Sequence, residues 1–238
     1  MNRSLPQFPG GTSVSDLRVY DFASADGCPG GTPHLHTASA EAYVVVGGRG
    51  EVHTVSAAGE ARDPLEAGSL LWFTPGTVHR LVNHGGLHLA VVMQNAGLPE
   101  AGDAVMTFPE RVLADPEAYR AAAALPDQED ERADAARARR ELALEGYDDL
   151  LQAVRRDGAA ALDRLHRQAA ALVRPRIDQW RRIWAENVEA EVEATRRQLD
   201  ALADGDPGRL GDATVFRGDP QPEPRLWGMC GRLQTWQA

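Results

Sequence analysis

The sequence contains no lysine, so all 25 of its Lys and Arg positions are arginine. Isoleucine is almost as scarce and occurs only at positions 177 and 183, whereas alanine is abundant throughout. This bias is typical of GC-rich coding, and we expect a bacterial source. The missing lysine therefore reports on codon usage and carries no information about function.

Positive charge is also in deficit, because 25 basic residues stand against 35 acidic ones and the net charge is −10. The isoelectric point is near 5.2. A chain of this charge lacks the broad basic surface that attracts nucleic acids or anionic membranes. We expect no nucleic-acid or membrane partner, but a small-molecule substrate and a homodimer.

Cysteine and long hydrophobic runs are nearly absent. The two cysteines, Cys28 and Cys230, are too few for a disulfide framework and suit a reducing compartment. No apolar run approaches the roughly 20 residues that a membrane-spanning helix needs. The first 16 residues also lack the apolar core of a signal peptide. We therefore expect a cytoplasmic protein.

The composition changes near residue 108. Before that point, short β-prone runs alternate with turn signals such as Gly47-Gly48, Pro75-Gly76 and the Gly-rich stretch 84–86. Short strands at regular spacing are typical of a β-sandwich or barrel, which we predict for a domain spanning 1–108. The runs themselves lie at 17–22, 42–46, 51–55, 69–74 and 87–93.

After Pro109 the sequence is rich in Ala, Arg, Glu and Leu and predicts helices over 116–124, 128–156 and 159–173. A last helix follows Pro175 and ends at Asp204-Gly205. Its apolar stripe favours packing within the chain or across a dimer. We predict a helical region at 109–205, acting as a lid or in dimerisation, and a Gly/Pro-rich tail at 206–238 whose end docks. The stripe comprises Ile177, Trp180, Trp184, Val188, Val192, Leu199 and Leu202.

The chemistry-bearing residues cluster in the first part of the chain. His34 and His36 are separated by one residue and share a strand face, because side chains alternate with period two. Glu41 follows a run of small and polar residues, and His79 follows a Pro-Gly turn. Imidazole and carboxylate groups in this combination are the usual ligands of a divalent transition metal.

These residues also resemble the two motifs of the cupin superfamily. In the first motif, His34, His36, Glu41 and Gly48 match, while Cys28 replaces the leading glycine. In the second, Gly68, Gly76, His79 and Asn83 match, while Thr74 stands where proline is usual. The departures fall on turns and leave all four ligand positions intact. The resemblance covers roughly residues 15–108, and the helical half lies outside it.

The resemblance implies a mainly β fold, a double-stranded β-helix (jelly-roll) barrel followed by the helical region. It further implies that His34, His36, Glu41 and His79 bind one divalent metal inside the barrel mouth. Fe(II) is the leading candidate, with Mn, Ni, Zn, Co and Cu as alternatives. Such a ligand set leaves coordination positions open for water, substrate or dioxygen.

Three functions are compatible with this set. An oxygenase of dioxygenase type acting on a small polar organic molecule comes first. A metal-dependent isomerase, epimerase or lyase on a sugar or keto acid is the second, and a non-catalytic binding or sensing barrel is the third. Glu41 and Tyr43 are the candidate catalytic residues. Tyr43 lies two residues after Glu41 and shares its face, although a packing role for this tyrosine is the competing interpretation.

Overall fold

An antiparallel sheet of nine strands forms the first part of the protein in the computed structural model, which describes residues 8–237. Its strands are β1 Ser13–Val19, β2 His34–His36, β3 Glu41–Ser56, β4 Gly59–Glu66, β5 Leu70–Phe73, β6 Val78–Met93 and β7 Ala104–Met106. The C-terminal tail adds β9 Leu226–Trp227 and β10 Gly231–Gln234, while β8 Asp219–Pro220 pairs with β11 Trp236–Gln237.

The long strands β3 and β6 pair along their whole length and are bent in the middle. The turns predicted at Gly47-Gly48 and at 84–86 are wrong, because both stretches are irregularities inside these strands. Gly48 has φ +70°, and a Cβ there would lie 2.1 Å from the carbonyl oxygen of Gly86. Glycine is required at such a bulge because of this close backbone approach. Strand β3 pairs with β5 near its start and with β4 after the bend.

Side chains on the two faces of the sheet enter two separate cores. The inward core lies inside the barrel and includes Tyr43, Leu81 and Leu89. The outward core joins Leu35 and Val78 of the barrel to side chains of the helices. Both cores exist because the helices cover the outer face of β2 and of the first half of β6, residues 78–83, so these segments are buried on both sides. The β-barrel with a C-terminal helical region is the predicted fold class, and it is confirmed.

The helices follow the predicted ranges closely. They are α1 Glu110–Leu113, α2 Pro116–Ala123, α3 Glu129–Asp157, α4 Ala159–Val173, α5 Ile177–Trp184 and α6 Ala190–Ala203, with a π-helical turn at Ala185–Glu189. The apolar stripe divides at that turn: Trp180 packs in the outward core, whereas Leu199 and Leu202 are exposed. The lid and dimerisation roles of this region stay predictions.

The end of the tail docks on the barrel, as predicted. Strand β10 pairs antiparallel with β1 from Asp16↔Gln234 to Val19↔Gly231. This pairing places Cys230 in the inward core. Both cysteines are free thiols. Among the helices of residues 8–237, none combines the length and apolarity needed to cross a membrane.

Candidate metal centre

The predicted ligands come from three strands and meet inside the barrel. His34 and His36 lie on β2, Glu41 begins β3 and His79 lies on β6. His34 is paired directly with His79 across the β2–β6 ladder, which sets their imidazoles side by side. One ligand atom from each of the four residues lies within 4.8 Å of all the others. The side chains are buried, with His34 2%, His36 6%, Glu41 7% and His79 0% exposed.

The Glu41 carboxylate lies between two imidazoles without forming hydrogen bonds. Its Oε2 atom is 3.2 Å from Nε2 of His36 and 3.1 Å from Nε2 of His79. Yet Oε2 of Glu41 and Nε2 of His79 have no hydrogen-bond partner among the described residues. Buried polar atoms left without partners are costly, by about 1–3 kcal/mol each. A divalent cation would satisfy these atoms together, so the donor set fits a transition-metal ion.

Hydrogen bonds to backbone carbonyls orient two of the imidazoles. Nδ1 of His34 donates to the Thr32 carbonyl oxygen at 2.8 Å, and Nδ1 of His79 donates to that of Thr77 at 3.1 Å. A carbonyl oxygen only accepts, so the ring proton belongs on Nδ1 and the Nε2 lone pair is free to bind a metal. Support of this kind from outside the ligand set is typical of metal-binding histidines.

Asp103 lies beside the third imidazole, and no pattern in the sequence predicts it there. Its Oδ2 atom lies 3.4 Å from Nδ1 of His36. The carboxylate also accepts hydrogen bonds from the backbone N–H groups of Thr37, Ala38 and Ser39, at 2.7–3.0 Å. Asp103 thus places a negative charge beside the ring of His36 and anchors, through its hydrogen bonds, the loop that leads to Glu41. No spacing rule connects it to the ligands, because it follows Glu41 by 62 positions.

The charges of these groups shift one another's pKa values. Burial alone lowers the pKa of His36, but the carboxylates of Asp103 and Glu41 outweigh burial and raise that pKa to about 9. Burial, together with the neighbouring His79 and His36, holds the pKa of His34 well below its usual range. Although burial opposes its ionisation, Glu41 keeps a pKa well below normal because of His79 and His36. Positive charge is therefore favoured between the carboxylates.

Two aromatic rings line the centre. Tyr43 is fully buried beside Glu41, and its hydroxyl has no hydrogen-bond partner among residues 8–237. Burial, and secondarily the charge of Glu41, raises the pKa of Tyr43 well above its usual range. The ring of Phe73 lies 4.2 Å from that of His79, centroid to centroid. The Tyr43 hydroxyl is therefore a neutral donor next to the ligands, and its catalytic role stays a prediction.

Residues elsewhere in the motifs shape the backbone around the centre. Asn83 donates to the carbonyl oxygens of Val19 and Tyr20 and accepts from the N–H groups of Gly85 and Leu87. This side chain thereby holds the irregularity in β6.

One histidine of α4 supports the turn that precedes His79. Nε2 of His166 lies 2.8 Å from the carbonyl oxygen of Gly76 in that turn. The helical half thus contacts the second motif directly, although none of its side chains joins the four-residue cluster.

Comparisons with known proteins place the barrel in a family. Residues 23–93 match the family model described as the cupin domain. A search of curated proteins found no match. The fold of this region is a β-barrel, and its site is a buried cluster of His and Glu side chains. The match to the family model identifies a cupin domain within the barrel, at residues 23–93.

Several solved structures resemble part of the chain. Pac13 of Streptomyces, described as a unique nucleoside dehydratase, is 17% identical over 43% of this chain and 72% of its own, with a TM-score of 0.33. An uncharacterised double-stranded β-helix protein of Klebsiella pneumoniae is 17% identical over 41% and 73%, with a TM-score of 0.31. A predicted oxalate decarboxylase of Thermotoga maritima is 20% identical over 35% and 64%, with a TM-score of 0.27.

Proposed function

We propose that this cupin is a metal-dependent enzyme acting on a small polar organic molecule, with His34, His36, Glu41 and His79 as the metal ligands. The observation that supports the proposal is the convergence of their donor atoms within 4.8 Å in a buried site. The orphaned atoms of Glu41 and His79 support it further, because one bound cation would satisfy both.

Oxygenase chemistry of the dioxygenase type is the leading candidate, with Fe(II) as the metal. A redox-active ion in this site would supply reaction with dioxygen, and any of the divalent candidates would supply Lewis-acid activation of a substrate oxygen. The chain's own residues then have separate roles. Glu41 stays ionised as a ligand, since its pKa lies well below the usual range.

Tyr43 is the proposed hydrogen-bond donor to the substrate. Its raised pKa keeps the hydroxyl protonated at neutral pH, so it can donate a hydrogen bond but cannot act as a base. The hydroxyl lacks a partner within the described part of the chain, which leaves its proton available to a bound molecule. Under this proposal, Tyr43→Phe lowers turnover and leaves the metal content unchanged.

The second candidate is a non-catalytic metal-binding barrel in a binding or sensing protein. The burial of all four ligands favours it, because closed sites with four protein ligands are typical of structural metals. An isomerase, epimerase or lyase would use the same ligands without redox chemistry and differs from the oxygenase in the metal it needs.

Metal analysis of the purified protein tests the ligand assignment. We expect about one first-row transition ion per chain, because the donor set forms one site. His36→Ala and His79→Ala should each abolish this metal content. His84→Ala is the matched control, since His84 is exposed and lies outside the cluster. Full metal content in both ligand variants would refute the assignment.

Oxygen uptake with candidate substrates separates the functions. Iron together with substrate-dependent uptake that is lost in His79→Ala supports the oxygenase. A redox-inert metal with substrate turnover but no uptake selects the isomerase or lyase. Metal that stabilises the fold, with no turnover of any candidate substrate, selects the non-catalytic barrel.

A further inference from the structure

A second polar site lies on the outer face of the barrel, under helix α3. Arg62 of β4, His53 of β3 and Arg80 of β6 are paired directly across the three strands, as His53↔Arg62 and His53↔Arg80. Directly paired residues share a face of the sheet. Val78, two positions before Arg80, packs in the outward core, so this row also faces outward. It lies on the side of β6 opposite to the metal-ligand cluster.

The row forms one wall of a cavity of about 500 Å³, and α3 and the loop at Asp26 form the others. This volume is within the usual range of small-molecule sites, roughly 300–1,000 Å³. On the helix side, Leu144, Tyr147 and Leu151 provide apolar and aromatic surface. The guanidinium carbon of Arg80 lies 5.6 Å from the centre of the Tyr147 ring. The cavity therefore has apolar side chains on its helix side and nitrogen-bearing side chains on its strand side.

Arg80 is buried with part of its hydrogen-bonding capacity unused. The residue is 7% exposed, and its NH1 atom donates to Oδ2 of Asp26 at 2.6 Å. Its Nε atom is buried and has no hydrogen-bond partner within residues 8–237. A buried guanidinium N–H without an acceptor is unfavourable, and a carboxylate or phosphate oxygen is its best partner.

Arg62 adds a second cation that has no ion pair among the described residues. Burial lowers the pKa of His53 and outweighs the hydrogen bond to Glu51, which raises it, and Arg80 and Arg62 add smaller lowering effects, so a positive charge on this imidazole is disfavoured. The two arginines are therefore the positive charges of the row. They stand on strands separated by β3, about 10 Å apart at the backbone, and both of their long side chains line the cavity.

Asp26 pairs with Arg80 through one oxygen, whereas most of the other carboxylates around the cavity have partners other than Arg80 and Arg62. Glu60 is held by both Nε and NH2 of Arg155 at 2.8 Å, and Glu145 by Arg111 at 2.7 and 2.9 Å. Both oxygens of Glu141 accept from the backbone N–H of Ala25. Asp148 is exposed at the rim of the cavity.

We propose that this outer cavity binds a small organic anion, whose carboxylate or phosphate oxygens pair with Arg80 and Arg62. The ligand lies on the outside of the barrel and is distinct from the substrate of the metal centre. Apolar contact with Tyr147 and Leu151 favours a compound with a short carbon skeleton over a bare ion.

The test uses inorganic phosphate and succinate as probes with the full-length protein, at ionic strength held constant with sodium chloride. Calorimetric titration should give saturable binding of at least one probe, accompanied by a rise in melting temperature. Phosphate alone indicates a phosphorylated ligand, and succinate alone indicates a carboxylate. Either result supports the site.

Arg62→Gln should weaken binding by about 10- to 100-fold, the usual effect of losing a charge-assisted hydrogen bond. The variant should fold normally because Arg62 is exposed and unpaired in the described residues. Arg49→Gln is the matched control, since Arg49 is exposed on β3 outside the cavity. Arg80→Gln should abolish binding. The proposal is overturned if neither probe binds beyond the chloride control, or if Arg62→Gln binds as well as Arg49→Gln.

Discussion

The inner and outer faces of β2 and of the first half of β6 differ in chemistry although both are buried. The inner face carries His34, His36 and His79, whereas Leu35 and Val78 point outward into the core shared with the helices. In most half-exposed strands the apolar side chains face the core and the polar ones face water. Here the polar residues face inward, because the barrel encloses a cluster suited to a metal and the helices supply a second apolar core.

Burial alone does not distinguish a functional side chain from one that only packs in a core. Leu35 is as deeply buried as its histidine neighbours, yet its partners are apolar helix side chains. The faces should therefore respond differently to mutation. Substitutions of outward side chains should change the stability and leave the metal content unchanged. Substitutions of inward side chains should change metal binding.

The largest of these effects is expected on the outer face. Leu35→Ala should lower the free energy of unfolding by about 2–5 kcal/mol, because it opens a cavity between barrel and helices. Metal content should stay at the wild-type value. Chemical denaturation together with metal analysis measures both quantities.

Val46→Ala is the control for this prediction, because Val46 is half exposed on β3 and outside both buried cores. Its effect should stay below about 0.5 kcal/mol. Loss of metal in a folded Leu35→Ala protein would contradict the separation of the two faces.

A smaller effect is expected on the inner face from Asp103→Asn. The change removes the charge beside His36 while retaining a similar shape, so it should weaken metal binding by about 10- to 100-fold. The wild-type ligands all remain in place. Competition with a chelator of known affinity measures the change.

Asp63→Asn provides the control, because Asp63 is exposed on β4 away from the ligands. Equal metal affinity in the two variants would show that Asp103 supports only the loop at Thr37 to Ser39.

The smallest effect is expected for a residue on the outer face of β1, which pairs with the second half of β6. Asp16 of β1 accepts hydrogen bonds from Arg225 of the tail and from His88. Burial alone would raise the pKa of Asp16, but the bonds to Arg225 and His88 outweigh it and lower that pKa. The stabilisation is therefore present above the unfolded-state value of about 3.9 and is lost as the pH falls through the lower folded-state pKa.

Asp16→Asn should accordingly reduce stability at pH 7 by less than about 1 kcal/mol. The difference from wild type should shrink as the pH is lowered through and below about 4. Urea denaturation at a series of pH values measures it, and metal content should be unaffected. A stability difference that grows on acidification would contradict this account of Asp16.

Much of the candidate site was predictable from spacing. The alternation of His34 and His36, and the intervals to Glu41 and His79, indicated one cluster, and the structure brings the four together. The helix ranges followed from periodicity, because α3 and α4 each bury one side. Gly48, by contrast, was interpreted as a turn, since a glycine pair signals a turn and a bulge equally well.

Asp103 and the outer row of Arg62, His53 and Arg80 could not be predicted in the same way. Each contact depends on strand register or loop placement between residues far apart in the chain. A one-residue shift in register would turn every one of these side chains to the other face.

Local spacing and composition were enough to predict the ligand types, the resemblance of the barrel and the order of strands followed by helices. Which face of each strand is enclosed, and which partner each buried polar group finds, depends on packing between distant segments. A strand of period two has two equivalent faces until the rest of the chain packs against one of them. In this protein the chain packs against both.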